Sequence, residues 1–578
     1  MKILGISCFY HDAAATLLED GVVRAAAQEE RFTRIRHDPD FPIHAIRFCL
    51  EESGTEVHEL DDVVFYDRPL LKFERILQTY LATFPRSYVS VLKALPVWLK
   101  EKMWIPQTIR KELGYDGEVL FTDHHMAHAA SAFLVSPFEE AAILTIDGVG
   151  EWETSTYGYG RGTDIQLLKS ISFPHSLGLL YSAFTYYLGF RVNSAEYKVM
   201  GLAPYGEPRY ADLILRELVH VCEDGSYQLN MKYFSYHYGL TMTGKRFEAL
   251  FGEPRREPES ALSQFHKDVA ASIQRVTDII VVKIARHLEK TLKMKFLCMA
   301  GGVALNCVSN SKILEETSFH DVFVQPAAGD AGGSLGAATY VYHTILGHPR
   351  TSVMNDVFLG PSYTQEEIER FLAMKGMPFR RLSREELLRE TAALIAQQNV
   401  IGWFQGKMEF GPRALGNRSI LADPRNPKNQ SIVNLKIKFR ESFRPFAPSV
   451  IEERTADYFA FDRPSPFMLF VVQVQPHKRE IPAVTHVDGS ARLQTVSKEQ
   501  NPLFYDLLRE FERQTGCPVL INTSFNVRGE PIVCSPDDAW RCFMRTEMDY
   551  LIMGNCLLEK KKMNEIPVEV RQEQFELD

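Results

Sequence analysis

The sequence predicts an α/β protein of two domains. Three observations carry this: one strand-turn-strand-turn-strand unit occurs twice, Gly-rich turns follow two later strands, and helical and strand patterns alternate again from about residue 361 onward. A chain of 578 residues has room for two to four domains at roughly 150 residues each. The composition is 45% apolar and 24% charged with a formal charge of −9, the mix of an ordinary folded globule. It argues against disorder, a collagen-like chain and a generally basic nucleic-acid binder.

The first copy of the repeated unit reads as strands over 2–7, 13–18 and 22–28, with Asp20-Gly21 as the hairpin signal between the last two. His11 and Asp12 fall in its tight first turn. The second copy has strands over 141–146, 153–158 and 166–171, joined by the polar turn 147–151 and by Gly160 and Gly162. Two copies predict a duplicated domain. Helical spacing appears at 45–52 and 124–135. Strand 296–299 runs into 300–306, and strand 322–324 into 325–333, each loop rich in glycine and followed by a helical pattern. Such turns place helix-start amides where a phosphate or ribose can sit; the alternative is a tight turn with packing value only. A domain boundary is predicted around 347–361, dividing the chain into 1–355 and 356–578. The second part carries helical patterns at 365–374, 385–398, 503–514 and 537–545, and strands at 400–404, 467–474 and 519–522.

No apolar run reaches the roughly 18 to 20 residues of a membrane span. The start has the outline of a short signal peptide, but Gly5 and Ser7 interrupt it and the residues read better as a strand. Nine cysteines without a C-x-x-C pair argue against a disulfide framework or zinc ribbon and fit a reducing cytoplasm.

Several groups of residues suit chemistry. His124 and His128 are four apart, so on a helix they share a face and can grip one metal. His125 stands where a zinc protease of the H-E-x-x-H kind needs glutamate. Alone, two such histidines are as often helix-face residues as ligands. Asp147 and Asp330, each at the end of a buried-looking strand, would complete a set of two nitrogens and two oxygens, which suits iron(II), manganese or zinc. His11 reads either as a general base oriented by Asp12 or as part of an Asx turn. The clearest charge signal is 405–450, where nine basic residues face Glu409, Asp423 and Glu441 inside an acidic chain. The nine include Lys407, Arg413, Arg418, Lys438, Arg440 and Arg444. Apolar and turn residues interrupt them, so convergence on a small polyanion is the better reading, with a solvated basic face as the alternative. Arg492 and the stretch from Asn522 to Arg528 would close the same pocket. Nucleic acid would want aromatic platforms among the cations and a more basic domain.

These stretches resemble the O-carbamoyltransferases of the NodU/CmcH type. The matching motifs are His11-Asp12-Ala13-Ala14, Glu29-Glu30-Arg31-Phe32-Thr33-Arg34, 124–130, Ile146-Asp147-Gly148, 196–206, 301–306, 411–416, 443–448 and 522–530. The resemblance implies an N-terminal actin/Hsp70-like (ASKHA, TsaD-like) duplicated core and a C-terminal YrdC-like domain. It further implies that the second domain makes carbamoyl-adenylate from carbamoyl phosphate and ATP, with magnesium assisting, and that the first passes the carbamoyl group to a hydroxyl of a small natural product or sugar. By the same resemblance Lys438, Arg444, Arg413, Arg418, Arg492, Asn522 and Arg528 hold the phosphates and carbamoyl group. His124, His128, Asp147 and Asp330 hold iron(II) or another divalent metal, His11 deprotonates the acceptor, and Gly301, Gly302, Asn306, Gly332 and Gly333 seat the adenylate. Expected partners are thus a small-molecule acceptor and neither a membrane nor, given the acidic chain, a nucleic acid; a homodimer is compatible with this reading. Acceptor choice is expected in the loops 67–107 and 225–256, whose aromatics Phe84, Tyr88, Trp98, Trp104, Tyr227, Tyr233 and Tyr236 either line a pocket or pack.

Overall fold

The computed structural model describes residues 1–441 and 443–563. The chain folds as two units, Met1–Glu29 with His37–Met354, and Glu30–Arg36 with the chain from Asn355 onward. The expected division left 30–36 in the first part, and the structure corrects this. Arg31 is buried and donates to the Gly411 carbonyl at 2.8 Å, Arg34 donates to the Ile532 carbonyl at 2.7 Å, and Phe32 packs on Met408, Ala414, Ile532 and Cys534.

In the first unit, β1 (Lys2–Ser7), β2 (Ala14–Glu19), β3 (Val22–Gln28), β4 (Asp62–Phe65) and β5 (Val119–Phe121) form a sheet ordered β3-β2-β1-β4-β5. A second sheet contains β6 (Glu140–Ile146), β7 (Glu153–Arg161) and β8 (Asp164–Ser172). After a small ribbon of β9 (Val219–Val221) and β10 (Tyr227–Leu229), it is completed by β11 (Phe296–Ala300) and β12 (Asp321–Val324). Its order, β12-β11-β6-β7-β8, repeats that of the first sheet. In both, three strands meander antiparallel and two more add parallel to the first. This duplicated topology is that of the actin-like fold.

Both leading strands, β1 and β6, are buried on both faces, which is why each reads as a nearly unbroken apolar run. The helix Ala331–Thr339, made only of small residues and one leucine, lies directly on β1. A Cβ at Gly5 would stand 1.9 Å from the Ser334 carbonyl oxygen, so the helix reaches its place only over glycine. That approach sets Asp330, just before the helix, beside the helix His124–Phe133. The segment 67–107, expected as a loop, is mostly helical, with helices Pro69–Ala82 and Tyr88–Val97. Phe84, Tyr88 and Trp104 there are exposed, whereas Tyr227 is buried with its hydroxyl on Ser155 and the Leu177 amide. Among the described residues no helix is long and apolar enough to cross a membrane, and all nine cysteines are free thiols.

The second unit is built on a nine-stranded mixed sheet of β13 (Arg380–Arg381), β14 (Ile401–Phe404), β15 (Arg418–Ala422), β16 (Ala447–Ile451), β17 (Phe470–Gln473), β18 (Ser490–Val496), β19 (Val519–Ser524), β20 (Tyr550–Met553) and β21 (Cys556–Glu559). Its order is β13-β21-β20-β14-β15-β19-β16-β18-β17. Register decides which side chains meet. Ser419 pairs with Ser524, Ala447 with Asn522 and Ser449 with Gln494. Paired residues share a face and neighbours along a strand alternate. Ser419, Asn522, Ser524, Ser449, Gln494 and Arg492 therefore line one face of the sheet, and Arg418 lies on the other.

Candidate functional site

Four buried side chains meet in the first unit. His124 and His128 leave the helix His124–Phe133 one turn apart, Asp147 follows the end of β6, and Asp330 precedes the helix Ala331–Thr339. One ligand atom from each lies within 4.8 Å of the others. The two imidazole Nε2 atoms are 3.1 Å apart, His124 Nε2 is 3.3 Å from Asp147 Oδ2, and Asp330 Oδ1 is 3.8 and 3.7 Å from the two histidines. Each carboxylate spends its other oxygen on the protein: Asp147 Oδ1 accepts the Gly302 amide at 2.8 Å and Asp330 Oδ2 accepts the Tyr66 hydroxyl at 3.2 Å. Asp330 Oδ1 is buried without a hydrogen-bond partner among the described residues. An orphaned buried carboxylate oxygen facing two imidazole nitrogens and a second carboxylate is a donor set that fits a divalent cation. Burial opposes ionisation of Asp147, yet the His124 hydrogen bond and the His128 charge hold it well below the usual carboxylate range.

The same helix carries a histidine with a different task. His125 is tied to Thr145 Oγ1 at 2.6 Å and to the Glu153 carbonyl at 3.0 Å, and burial pushes its pKa down to about 3. It is a neutral packing residue. Glu151 secures the start of the helix, each of its oxygens standing 3.1 Å from the His124 amide.

His11 and Asp12 sit in the turn after β1, where Asp12 has a φ of 53°. His11 Nδ1 is 3.0 Å from Asp12 Oδ2. The other Asp12 oxygen is 2.7 Å from His37 Nδ1, and His37 Nε2 is 3.2 Å from Ser194 Oγ. Burial favours neutral His11, but Asp330 and then the Asp12 hydrogen bond overcome it and raise the imidazole to about 10. A cation between Asp147 and Asp330 would offset the Asp330 field. His37 is missing from the sequence reading; 25 residues from Asp12, it carries no local pattern.

The glycine loops separate. Gly301 has a φ of 90° and a Cβ there would meet the Ile146 carbonyl oxygen at 2.3 Å, so this turn holds the Gly302 amide toward Asp147. Asn306 caps the helix Cys307–Glu316, accepting from the Ser309 amide, and donates to Gln274 Oε1 at 3.1 Å. Gly332 and Gly333 were expected in a loop seating the adenylate. They lie instead within the buried first turn of the helix Ala331–Thr339, where added Cβ atoms would stand 2.2 Å from the Ala327 carbonyl oxygen and 2.5 Å from the Tyr66 ring. Their smallness serves packing.

In the second unit the polar face of the sheet is covered by two loops. Glu409 organises the first, 411–416, by taking the amides of Leu415, Asn417 and Arg418 on one oxygen at 2.7, 2.9 and 3.3 Å. Gly416 donates to Ser419 Oγ and Gln494 donates to the Leu415 carbonyl. Gln494 Oε1 also accepts from Asn522 at 2.8 Å, while Asn522 Oδ1 is buried with no hydrogen-bond partner among the described residues. The second loop follows β19. Lys438 Nζ donates to the carbonyl and hydroxyl oxygens of Ser524 at 2.7 and 3.1 Å and to the carbonyl and side-chain oxygens of Asn526 at 2.8 and 2.5 Å. Burial, with Arg440 and Arg444 nearby, pushes the Lys438 pKa well below its ordinary value. The Arg528 amide donates to the Lys438 carbonyl. Arg444 and Arg528 converge on Glu441, at 3.9 and 3.7 Å.

Comparison with known families places the chain. The model described as "Carbamoyltransferase N-terminus" matches residues 2–339 and that described as "Carbamoyltransferase C-terminus" matches 392–560. The chain belongs to the carbamoyltransferase family. It is 52% identical to the Synechocystis sp. protein sll1178, covering 100% of both chains. It is 38% identical to the nodulation protein NolNO of Sinorhizobium fredii over 96% of this chain and 79% of that one. Against the nodulation protein NolO of Bradyrhizobium diazoefficiens it is 42% identical, over 76% and 79%.

One arginine of this carbamoyltransferase has a different place from that expected. Arg418, fully buried on the far face of the sheet, donates to the carbonyls of Gln405, Gly406, Asn417 and Pro361 and stacks 3.8 Å from the Phe404 ring centre. Both its terminal nitrogens are spent on backbone carbonyls, so it braces the 405–417 turn. Glu409, Gln494 and Glu441 are site residues that a search for cations passes over.

Proposed function

We propose that this carbamoyltransferase forms carbamoyl-adenylate from carbamoyl phosphate and ATP in its second unit and passes the carbamoyl group to a hydroxyl of a small natural product or sugar in its first. The observation that carries the reading is the cationic cluster over the polar sheet face, where Lys438 is buried and Arg444 and Arg528 share one carboxylate. Two polyanions repel each other until fixed charge neutralises them, and preorganised donors do this without reorganising during the reaction. Arg444 and Arg528, by exchanging Glu441 for phosphate oxygens, fit that task, as arginine forks match phosphate bidentately. Lys438 fixes the 524–526 backbone beneath them. Arg492 and Asn522, on the same face, would meet the carbamoyl group, whose amide matches the orphaned Asn522 oxygen; Arg413 lies on the loop above. Magnesium would accompany ATP.

Forming the adenylate consumes one water and releases one orthophosphate and one pyrophosphate, because only the α-phosphorus of ATP remains in it. In the first unit the acceptor is a neutral alcohol. With His11 Nδ1 turned to Asp12, Nε2 is the atom that takes the hydroxyl proton as the alcohol oxygen bonds to the carbamoyl carbon and AMP leaves, and the Gly301-Gly302 turn with Asn306 would receive the adenylate. His124, His128, Asp147 and Asp330 would hold iron(II) or another divalent metal, which would polarise the carbamoyl carbonyl.

Incubation with ATP and carbamoyl phosphate should release both phosphates in equal amounts, and mass spectrometry with a panel of aminoglycosides, oligosaccharides and other hydroxylated metabolites should find a product heavier by one carbamoyl group. Absence of pyrophosphate would refute adenylation and leave carbamoyl transfer to proceed by another route. Purified enzyme should also carry one divalent ion per chain by elemental analysis, lost in Asp330→Asn. At about a thousandfold excess over its dissociation constant a ligand adds roughly 4 kcal/mol, so chelation should lower the melting temperature by several degrees. Equal metal content in wild type and Asp330→Asn would remove the metal from the scheme.

A further inference from the structure

The motif Glu29-Glu30-Arg31-Phe32-Thr33-Arg34 has no part in the chemistry above, yet residues 30–36 pack in the second unit. We propose that this strap positions both loops of the second unit's anion site, with Arg34 as its principal positioning residue. The inference rests on the adenylation reading and adds residues to it.

Arg34 grips the turn after β19 from behind. Its Nη2 donates to the Pro531 carbonyl at 2.8 Å and to Glu530 Oε1 at 3.1 Å, its Nη1 donates to the Ile532 carbonyl at 2.7 Å, and its Nε lies 3.3 Å from Asp538. Glu530, fixed on one oxygen by Arg34, takes the Val527 amide on the other at 3.0 Å, and its carbonyl accepts from Asn526 Nδ2 at 2.6 Å. Asn526 and Ser524 then hold Lys438, and Arg528 bonds back to the Lys438 carbonyl. The guanidinium is thus three hydrogen bonds from the Lys438 amine, along an unbroken path: Arg34 to Glu530, Glu530 to Asn526, Asn526 to Lys438.

The same strap reaches the other loop. Arg31, only 3% exposed at its side chain and paired with Glu30 at 2.8 Å, donates to the Gly411 carbonyl, while Phe32 packs on Met408, just before the 411–416 loop, and on Ala414 within it. Two loops with different partners are therefore anchored by one seven-residue segment from the far end of the sequence. A guanidinium is suited to this, because its planar fork meets two carbonyls and two carboxylates at once where an ammonium offers a single point.

The test compares Arg34→Ala and Arg34→Lys with wild type by hydrogen exchange and by carbamoyl phosphate-dependent pyrophosphate release. Exchange in a peptide covering 526–533 should quicken in Arg34→Ala while β19 and the rest of the sheet keep their protection. Pyrophosphate release should fall on the order of a hundredfold, as a misplacement of about 1 Å can cost, mainly in kcat. Arg34→Lys should recover only part of both. Quickened exchange throughout the sheet would make Arg34 a general folding residue and overturn the proposal, as would unchanged exchange or an unchanged rate. If exchange is localised but wild type releases no pyrophosphate, the positioning role stands and the adenylation reading falls.

Discussion

Lys438→Met is expected to lower carbamoyl phosphate-dependent pyrophosphate release by up to about a thousandfold, the upper end of what one preorganised donor supplies, while leaving the first unit's metal content unchanged. Methionine keeps the length of the side chain and removes its donors. Four oxygens, two from Ser524 and two from Asn526, then lose their shared partner. Leaving a buried polar group unsatisfied costs about 1–3 kcal/mol, so the turn must move to find other partners. The Arg528 amide is bonded to the Lys438 carbonyl, so the movement reaches the guanidinium assigned to the phosphates. Arg418→Met is the instructive contrast. On the opposite face, with its donors on four carbonyls, it should lose folding stability without a comparable loss in the chemical step per folded molecule. A stopped assay for pyrophosphate, normalised to folded protein by circular dichroism, separates the two. Wild-type release from folded Lys438→Met would remove Lys438 from the site.

The contrast between these residues also shows what the sequence could carry. Both lie in the segment whose cations stand out within an acidic chain, and charge counting treats them alike. Strand parity separates them: Arg418 neighbours Ser419, which pairs with Ser524, so the two residues point to opposite sides. Parity requires knowing the pairing, and pairing is a long-range fact. The duplicated first unit was legible because its strands are local and its Asp20-Gly21 turn has both φ angles positive, 49° and 79°, as the hairpin signal implies. His124 and His128 were legible because helical spacing is local as well. Arg34 and His37 were not, since each owes its place to groups far along the chain; Glu409 and Glu441 were not, because a count of cations passes over carboxylates. Gly332 and Gly333 show the limit of sequence spacing, because a glycine needed for close helix packing looks, in sequence, like one needed for a ligand loop.

In the first unit, His11→Ala should leave pyrophosphate release intact and slow carbamoyl transfer by about 10²- to 10⁴-fold, the range a positioned general base contributes. The expectation rests on how Asp12 is held. With one oxygen on His11 at 3.0 Å and the other on His37 at 2.7 Å, the carboxylate fixes the imidazole plane and directs Nε2 away from itself. Removing the imidazole leaves the hydroxyl without a proton acceptor while Lys438, Arg444 and Arg528 are untouched, so carbamoyl-adenylate should accumulate and be detectable by mass spectrometry of quenched reactions. His37→Asn should act through Asp12 and fall between wild type and His11→Ala, since an amide can still donate to Asp12 but not with the reach and geometry of the imidazole. Two outcomes would sink this assignment. Parallel loss of pyrophosphate release and transfer in His11→Ala would mean that the two chemistries are not divided between the units. Undiminished transfer would mean that another group takes the proton, leaving the His11, Asp12 and His37 chain as a device for holding a strained turn.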